Sequence, residues 1–186
     1  MAYYEPDLVL ETEHLILRAL RRDDAAAIYR NINHDRDVLQ FYVAPYMENE
    51  SEASVESSVK YAEVAGVYVF AIVLKETGEV IGMINQCSKM NTYFRNVEIG
   101  YAIGKPYWNN GYCTEALKKV IELLFAKGVH KVICQHAVEN VASGRVMQKA
   151  GMTFEGLKKD ELFYLGRYWD VNSYYMINDK ETGDEI

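Results

Sequence analysis

Trp108-Asn-Asn-Gly-Tyr-Cys-Thr-Glu-Ala116 is the stretch that decides how this chain is interpreted. It follows an apolar run at residues 97–104 and leads into an amphipathic run at residues 117–127. A strand, a short polar turn with Gly111 and a helix start form the local geometry of an anion site. The first N–H groups of a helix have no internal partner, and the helix dipole adds partial positive charge there. The stretch therefore indicates that a phosphate group binds here, with an ordinary strand-to-helix turn as the alternative.

Two common nucleotide-binding motifs are excluded for this turn. A Rossmann site requires G-x-G-x-x-G and a P-loop requires G-K-[ST], and the turn contains neither pattern. Several of its residues are nevertheless small or polar, so that the backbone can approach a pyrophosphate closely: Asn109, Asn110, Gly111, Cys113 and Thr114. We interpret the side chains of Trp108 and Tyr112 as packing groups.

The composition is typical of one acidic globular domain. The chain has 186 residues and a formal net charge of −7. Its sequence contains no apolar run that approaches the ~20 residues of a membrane span. The N-terminal residues lack the basic start and the apolar segment of a signal peptide. We expect a single domain at residues 9–178, with short extensions at 1–8 and 179–186, in the cytoplasm. The negative charge argues against a direct nucleic-acid partner, which requires a basic surface, and it is compatible with a cationic acceptor such as an amine. No membrane partner is expected.

Hydrophobic patterning predicts a mixed α/β or α+β sheet with helices packed on it. The predicted strands are at residues 14–18, 67–74, 80–84, 97–104, 131–138, 153–156 and 168–177. The predicted helices are at residues 25–32, 49–65, 114–127 and 140–150. The second of these helices begins with capping-box spacing in Asn49-Glu-Ser-Glu52.

Asn140 and Ser143 form a second group of interest, because they follow the predicted strand at residues 131–138. Asn is a favourable helix N-cap, and Ser143 is unremarkable in a first helical turn. On these two residues alone, helix capping is favoured over a functional role.

Five segments together resemble the GNAT acyl-CoA N-acyltransferases, and within them the ribosomal-protein N-terminal acetyltransferases. The segments are Leu10-Glu-Thr-Glu-His-Leu-Ile-Leu-Arg18, Val97-Glu-Ile-Gly-Tyr101, the turn quoted above, Asn140-x-x-Ser143-x-x-Val146-x-x-Lys149-x-Gly151, and Asp170-Val-Asn-x-Tyr174. Each segment is weak by itself, but their order extends over nearly the whole chain. The resemblance implies a GNAT-type, mostly antiparallel sheet of about seven strands, with helices on both faces and a splayed central strand pair.

The resemblance also implies how acetyl-CoA, the co-substrate, is held. Backbone N–H groups of the turn at 108–114, including that of Tyr112, would bind the pyrophosphate. Unpaired backbone groups of the splayed strand would pair with the pantetheine arm, as an added strand pairs with a sheet edge: Tyr101, Ala102 and Ile103. Asn140 would contact the cofactor near its reactive end, and Ser143 would lie near the thioester sulfur. The sequence departs from the glycine-rich pattern of the family at Asn109 and Cys113, and no metal is expected.

Acetyl transfer to an amine requires a neutral amine, a donor for the oxyanion and a hydrogen bond or proton for the departing sulfur. Glu98 is the best candidate for the base, because it is a lone carboxylate in an apolar strand beside the expected cleft. A solvated or Arg-paired side chain is the structural alternative. A backbone N–H within residues 99–103 would stabilise the oxyanion. Ser143 could hydrogen-bond the sulfur, with Tyr164 and Tyr168 as alternatives.

Two further residues invite a catalytic interpretation. Cys113 at a helix start could have a lowered pKa and act as a nucleophile, but the local sequence lacks the partners that such a thiolate needs. His136 could be a base, although a lone histidine in a strand is more often structural. The remaining histidines show no metal-ligand spacing.

The acceptor side is predicted from aromatic residues in two segments. Tyr42 and Tyr46 lie in the irregular segment 29–50, and Tyr164 and Tyr168 lie in the segment 160–169. We expect an N-acetyltransferase that acts on a primary amine, such as a protein α-amino group. A small-molecule or antibiotic acetyltransferase and a non-catalytic acyl-CoA sensor are the alternatives. The sequence leaves homo-oligomer formation open.

Overall fold

Eight strands form one sheet in the computed structural model, which describes residues 5, 7–49, 53–90 and 93–179. The strands are β1 (Val9–Glu11), β2 (Leu15–Ala19), β3 (Val69–Leu74), β4 (Val80–Gln86), β5 (Asn96–Ile103), β6 (Lys131–Ala137), β7 (Thr153–Tyr164) and β8 (Arg167–Ile177). Their order is β1-β2-β3-β4-β5-β6-β8-β7. Neighbouring strands are antiparallel except β5 and β6, which are parallel. The predicted mixed, mostly antiparallel sheet is confirmed, with eight strands instead of about seven.

Helices cover both faces of the sheet, as predicted. One face carries α1 (Ala25–Ile28), which continues into a π-helical turn at Tyr29–Asn33, together with α2 (Arg36–Leu39) and α3 (Ala53–Ala65). The other face carries α4 (Tyr112–Ala126) and α5 (Val141–Lys149). Because side chains alternate along a strand, the strands β2 to β5 contribute to two separate cores. Val73 packs in the core under α1–α3, for example, while its neighbour Ile72 packs in the core under α4 and α5.

The central strands splay apart, and this gap positions the site. β5 and β6 pair through three positions only, from Asn96 opposite Lys131 to Glu98 opposite Ile133. Beyond Glu98, β5 stays paired with β4, and β6 stays paired with β8. A cleft therefore opens in the sheet just after Glu98, which confirms the predicted splayed pair.

Two stretches differ from the sequence prediction. β1 was not predicted, and it pairs with β2 through Leu10 opposite Leu17. β7 was predicted to end at residue 156, but it continues to Tyr164 and forms a hairpin with β8. The segment 160–169 is therefore the end of this hairpin and not a loop. The charged run at 158–161 resembles a loop because β7 is an edge strand, where lysines and irregular pairing are common; its register shifts between Lys158 and Leu162.

The start of the helix predicted at 49–65 falls partly outside the described residues, because residues 50–52 are not described. Within the described residues, α3 begins at Ala53 and ends at Ala65, with Gly66 following at a φ of +63°. Across the same described ranges, no helix is long and apolar enough to cross a membrane.

Candidate active site

A cleft of about 650 Å³ lies where β5 and β6 separate. One wall consists of β5 and the end of β6, and the floor consists of the turn before α4, the first turn of α4 and one side of α5. The opposite wall consists of α2 and the segment that follows it. The residues of the predicted site that line this cleft are Tyr42, Tyr101, Ala102, Ile103, Asn109, Gly111, Tyr112, Cys113, Thr114, Asn140 and Ser143.

The turn before α4 presents an uncapped helix start to the cleft. Asn109 and Gly111 both have left-handed backbone, with φ values of +65° and +84°. Gly111 is the N-cap residue of α4, and no side chain of the described residues caps this helix end. A Cβ placed on Gly111 would meet no described atom within 4 Å. The start of α4 therefore combines free N–H groups with open space, which suits a phosphate group.

Two side chains hold this turn in shape. The indole Nε1–H of Trp108 donates to the carbonyl of Ile103 at 2.9 Å, which ties the turn to the end of β5. The amide of Asn110 donates to the carbonyls of Tyr107 and Trp108, at 3.2 and 3.1 Å. Asn110 does not line the cleft, so its side chain shapes the turn from behind.

Tyr101 connects β5 to the start of α5, and Asn140 caps that helix. The Tyr101 hydroxyl donates to the carbonyl of Ser143 at 3.2 Å, and burial raises the pKa of Tyr101 well above its ordinary value. Asn140 Oδ1 accepts the backbone N–H of Ser143 at 3.2 Å and caps α5. Asn140 therefore does act as an N-cap, and both it and Ser143 also face the cleft.

Glu98 lies at the point where β5 and β6 separate. Burial raises the pKa of its carboxyl, Glu161 raises it further, and Lys158 opposes the shift. The amide Nε2 of Gln135 donates to Glu98 Oε2 at 3.5 Å, and within the described residues no arginine pairs with it. Glu98 does not line the cleft itself, whereas its neighbours Ile99, Gly100 and Gln135 do. The arrangement suits a base that reaches the cleft through water, because a carboxyl with a raised pKa binds a proton more readily near neutral pH.

The predicted acceptor residues do not all reach the cleft. Tyr42 lines it, and its hydroxyl donates to Asn85 Oδ1 at 3.3 Å. Tyr46, Tyr164 and Tyr168 lie outside the lining. Tyr46 stacks on His34, and the side chain of Tyr168 is 63% exposed at the end of the β7–β8 hairpin. A direct contact of these three tyrosines with a substrate stays a prediction.

Cys113 and His136, the other two candidates for a catalytic role, are in surroundings that favour a structural role. Burial raises the pKa of the Cys113 thiol to about 12, so this residue stays a thiol and is not an activated nucleophile. The Nδ1 of His136 donates to the carbonyl of Ala137 at 2.7 Å, and burial lowers its pKa. A Cβ on Gly144 would come within 2.8 Å of the His136 Nε2, which shows that the ring packs tightly under α5. Among the described residues, no group of three potential ligands could hold a metal ion.

Two cations in the cleft were not predicted. Arg145 and Lys149 lie four residues apart on α5 and both line the cleft, and within the described residues neither has an ion-pair partner. Like charges at this spacing repel each other, so their position favours an anion bound between them and the start of α4. Their spacing is visible in the sequence, but nothing in the sequence indicates that this side of α5 faces the cleft.

Comparisons with known proteins agree with this geometry. The Acetyltransferase (GNAT) domain family matches residues 14–153. An uncharacterized N-acetyltransferase of Bacillus subtilis, YoaA, is 30% identical over 93% of this chain and 98% of its own length. The spermidine N(1)-acetyltransferase of Vibrio cholerae is 26% identical over 89% of this chain and 94% of its own length. The ribosomal protein uS5-alanine N-acetyltransferase of Escherichia coli is 22% identical over 89% of this chain and 88% of its own.

A solved structure shares the fold. Mycobacterium smegmatis RimJ in complex with CoA-disulfide superposes with a TM-score of 0.83 at 22% sequence identity, covering 96% of this chain and 90% of that one. At this identity the match supports the architecture and not the choice of acceptor.

Proposed function

Because the chain belongs to the GNAT acetyltransferase family and is an acetyl-CoA-dependent N-acetyltransferase, we propose that it transfers the acetyl group directly to a primary amine in a ternary complex. The observation that carries this proposal is the position of Glu98, a carboxyl with a raised pKa where the cleft opens. A base at this point serves an amine that enters from the side of the sheet covered by α1–α3. Strand alternation supports that side, because Ala102, four residues after Glu98, packs in the core under α1–α3.

The cleft fits acetyl-CoA, which supplies a reactive thioester. Gly111 and the N–H groups at the start of α4 would hold the pyrophosphate, and backbone groups of Tyr101, Ala102 and Ile103 would pair with the pantetheine arm. The fit rests on the left-handed φ of Gly111 and the open space around it. It also rests on the loss of pairing between β5 and β6 after Glu98.

The residues around the thioester position have distinct proposed roles. Glu98 removes a proton from the amine through a water molecule, since its carboxyl lies beside the cleft and does not line it. A backbone N–H within residues 99–103 stabilises the oxyanion. Ser143 hydrogen-bonds the departing sulfur from the first turn of α5. Tyr101 holds that turn through its bond to the Ser143 carbonyl.

A protein α-amino group is the acceptor that we propose first, in line with the uS5-alanine relative. A small-molecule polyamine is the second candidate. It is supported by the spermidine acetyltransferase relative, which is 26% identical to this chain, against 22% for the uS5-alanine relative. The test is release of free thiol from acetyl-CoA with a panel of amines: a peptide with a free α-amino group, the same peptide acetylated at its N-terminus, spermidine and an aminoglycoside.

The panel separates the candidates clearly. Turnover of the free peptide, with none of the blocked peptide, supports α-amino acetylation. Turnover of spermidine alone selects the polyamine. Absence of turnover with every amine, in a protein that still binds CoA, contradicts transfer to a primary amine.

Arg145 and Lys149 are expected to contact the 3′-phosphate of CoA, because they are the cleft cations without a partner in the described structure. Changing both to Gln should raise the KM for acetyl-CoA about 10-fold or more, since a charge-assisted hydrogen bond contributes roughly 1.5–3 kcal/mol. The measurement compares acetyl-CoA with acetyl-3′-dephospho-CoA. The double variant should show the same KM for both, whereas the unmodified enzyme should prefer acetyl-CoA.

The control for this charge change is Lys60→Gln, an exposed lysine of α3 on the opposite face of the sheet. This variant should keep the preference for acetyl-CoA. A double variant that loses affinity equally for both cofactors contradicts the 3′-phosphate assignment, because the loss then does not depend on that phosphate.

Ser143→Ala is expected to lower kcat by about 10-fold, which corresponds to one hydrogen bond to the sulfur. The substitution keeps the backbone N–H that Asn140 accepts, so α5 should remain capped and the KM for acetyl-CoA should change little. Steady-state kinetics at saturating amine checks this expectation. An unchanged kcat, with chemistry shown to be rate-limiting, removes Ser143 from the reaction.

A further inference from the structure

The hydroxyl of Tyr164 joins the β7–β8 hairpin to the segment that follows α2. It lies 3.0 Å from the carbonyl oxygen of Leu39, 3.2 Å from that of Tyr42 and 3.4 Å from that of Ala44. A phenol carries one hydrogen to donate, so the three carbonyls share it. Residues 39–44 therefore curl around a single hydroxyl that is more than a hundred residues away in sequence.

Trp169 supports this contact from the hairpin side. Its indole Nε1–H donates to the carbonyl of Tyr164 at 2.8 Å. Its ring meets Phe41 edge-on at a centroid distance of 5.9 Å, and the guanidinium of Arg167 lies 3.3 Å from the ring centroid. Trp169 is only 5% exposed, so these contacts are well packed. We call Tyr164, Trp169 and the segment 39–44 the clasp.

The clasp fixes one wall of the cleft. Gln40, Phe41 and Tyr42 line the cleft, and Tyr42 is held at both ends. Tyr164 binds its backbone carbonyl, and Asn85 accepts its hydroxyl. Asn85 lies opposite Gly100 in the β4–β5 pair, two residues beyond Glu98. The wall that the clasp holds is therefore tied through Asn85 to β5, the strand that carries the proposed base.

We propose that Tyr164 is a positioning residue, which sets the affinity for the amine by holding residues 39–44 against the hairpin. This inference rests on the proposed function, because it assigns that wall to the acceptor. Tyr164 does not line the cleft, and its hydroxyl is shared among three carbonyls. It therefore acts on the acceptor through Phe41 and Tyr42, and not by giving a proton to the departing sulfur.

The test is Tyr164→Phe, which removes one oxygen and keeps the ring. We expect the KM for the amine to rise about 10-fold, in keeping with the loss of one partly buried hydrogen bond, while the KM for acetyl-CoA changes less than about twofold. The matched control is Tyr61→Phe. It removes another tyrosine hydroxyl that donates to a carbonyl, that of Cys87 at 2.9 Å, outside the clasp. This control should leave both KM values unchanged.

Hydrogen exchange gives a second readout that does not depend on turnover. In Tyr164→Phe the backbone amides of residues 39–44 should exchange faster, and those of β5 and α4 should not. Trp169→Phe keeps an aromatic ring but removes the indole N–H, so it should increase exchange in the same segment to a smaller extent.

The outcomes separate the clasp from the proposed function. If both KM values rise together in Tyr164→Phe, the residue has a general structural role and the proposal is wrong. An unchanged amine KM together with unchanged exchange also overturns it. If the unmodified enzyme acetylates no amine, the proposed function fails, and hydrogen exchange in Tyr164→Phe then tests the clasp by itself. Faster exchange confined to residues 39–44 supports the clasp, and unchanged exchange contradicts it.

Discussion

Glu98→Gln is expected to lower kcat by about 10²–10⁴-fold, the usual contribution of a general base, with little change in the KM for acetyl-CoA. The substitution keeps the shape of the side chain and its contact with the amide of Gln135, but it removes the group that accepts the proton of the amine. Steady-state kinetics with the best amine of the panel provides the measurement. The control is Glu122→Gln, a surface carboxylate of α4 that forms an ion pair with Lys119.

The pH dependence gives an independent check on the same residue. Burial raises the pKa of Glu98, so the rise in kcat/KM with pH should be centred above the ordinary pKa of a glutamate, and it should disappear in Glu98→Gln. The contribution of Glu98 to the free energy of unfolding should fall with rising pH, whereas kcat/KM rises. The folded state holds this proton more tightly than the unfolded state, so the contribution of Glu98 to stability is present at low pH and is lost as pH rises through the raised pKa.

A comparison of unfolding at two pH values checks that sign. At neutral pH, Glu98→Gln should unfold at a higher temperature than the unmodified protein, and the difference should shrink in acid. A variant that loses activity and also becomes less stable at neutral pH contradicts the assignment, because the lost carboxyl then stabilised the fold instead of serving the reaction.

Elements with strong periodicity were predictable from the sequence. The strands β2–β6 and the helices α4 and α5 were predicted within a few residues. α4 and α5 each end just before a glycine with left-handed backbone, Gly128 at a φ of +82° and Gly151 at +93°. β2, β5, β6, α4 and α5 bury only part of their side chains, so their apolar residues recur with the period of the structure. β3 and β4 are buried almost throughout, and their short apolar runs predicted buried strands instead.

The sheet edges were less predictable for a physical reason. β1 contains only three residues, and none of its side chains is fully buried. The second half of β7 is mostly exposed, and Asp160 adopts a φ of +50° within it. An edge strand pairs on one side only and needs no continuous apolar face, so composition alone does not distinguish it from a loop.

The candidate site also has a part that the sequence could predict and a part that it could not. The turn at 108–114 was predicted as an anion site because its function depends on local backbone, which the sequence shows directly. The clasp depends on contacts between Tyr164 and residues 39–44, and these become neighbours only through the order of the sheet. The sequence analysis predicted Tyr164 on the acceptor side, but the sequence contained no sign that its hydroxyl binds the backbone of a distant segment.

Gly111→Pro is expected to raise the KM for acetyl-CoA by about 10–100-fold, with a smaller effect on kcat. Proline fixes φ near −65°, whereas Gly111 has a φ of +84°, so the turn must rearrange and the N–H groups at the start of α4 lose their common direction. Kinetics with varied acetyl-CoA and thermal shift with CoA measure the effect. Gly78→Pro is the matched control, because Gly78 has a similar φ of +72° in the turn between β3 and β4.

Alanine at the same two positions separates strain from ligand binding. Neither residue has a described atom within 4 Å of an added Cβ, so both substitutions should cost a similar roughly 1–2 kcal/mol of left-handed backbone strain and lower the Tm to a similar extent. Only Gly111→Ala should also raise the KM for acetyl-CoA. Since the protein leaves the space around this Cβ open, a selective rise in KM places the bound phosphate against Gly111. Equal KM values for the two alanine variants would place it elsewhere in the cleft.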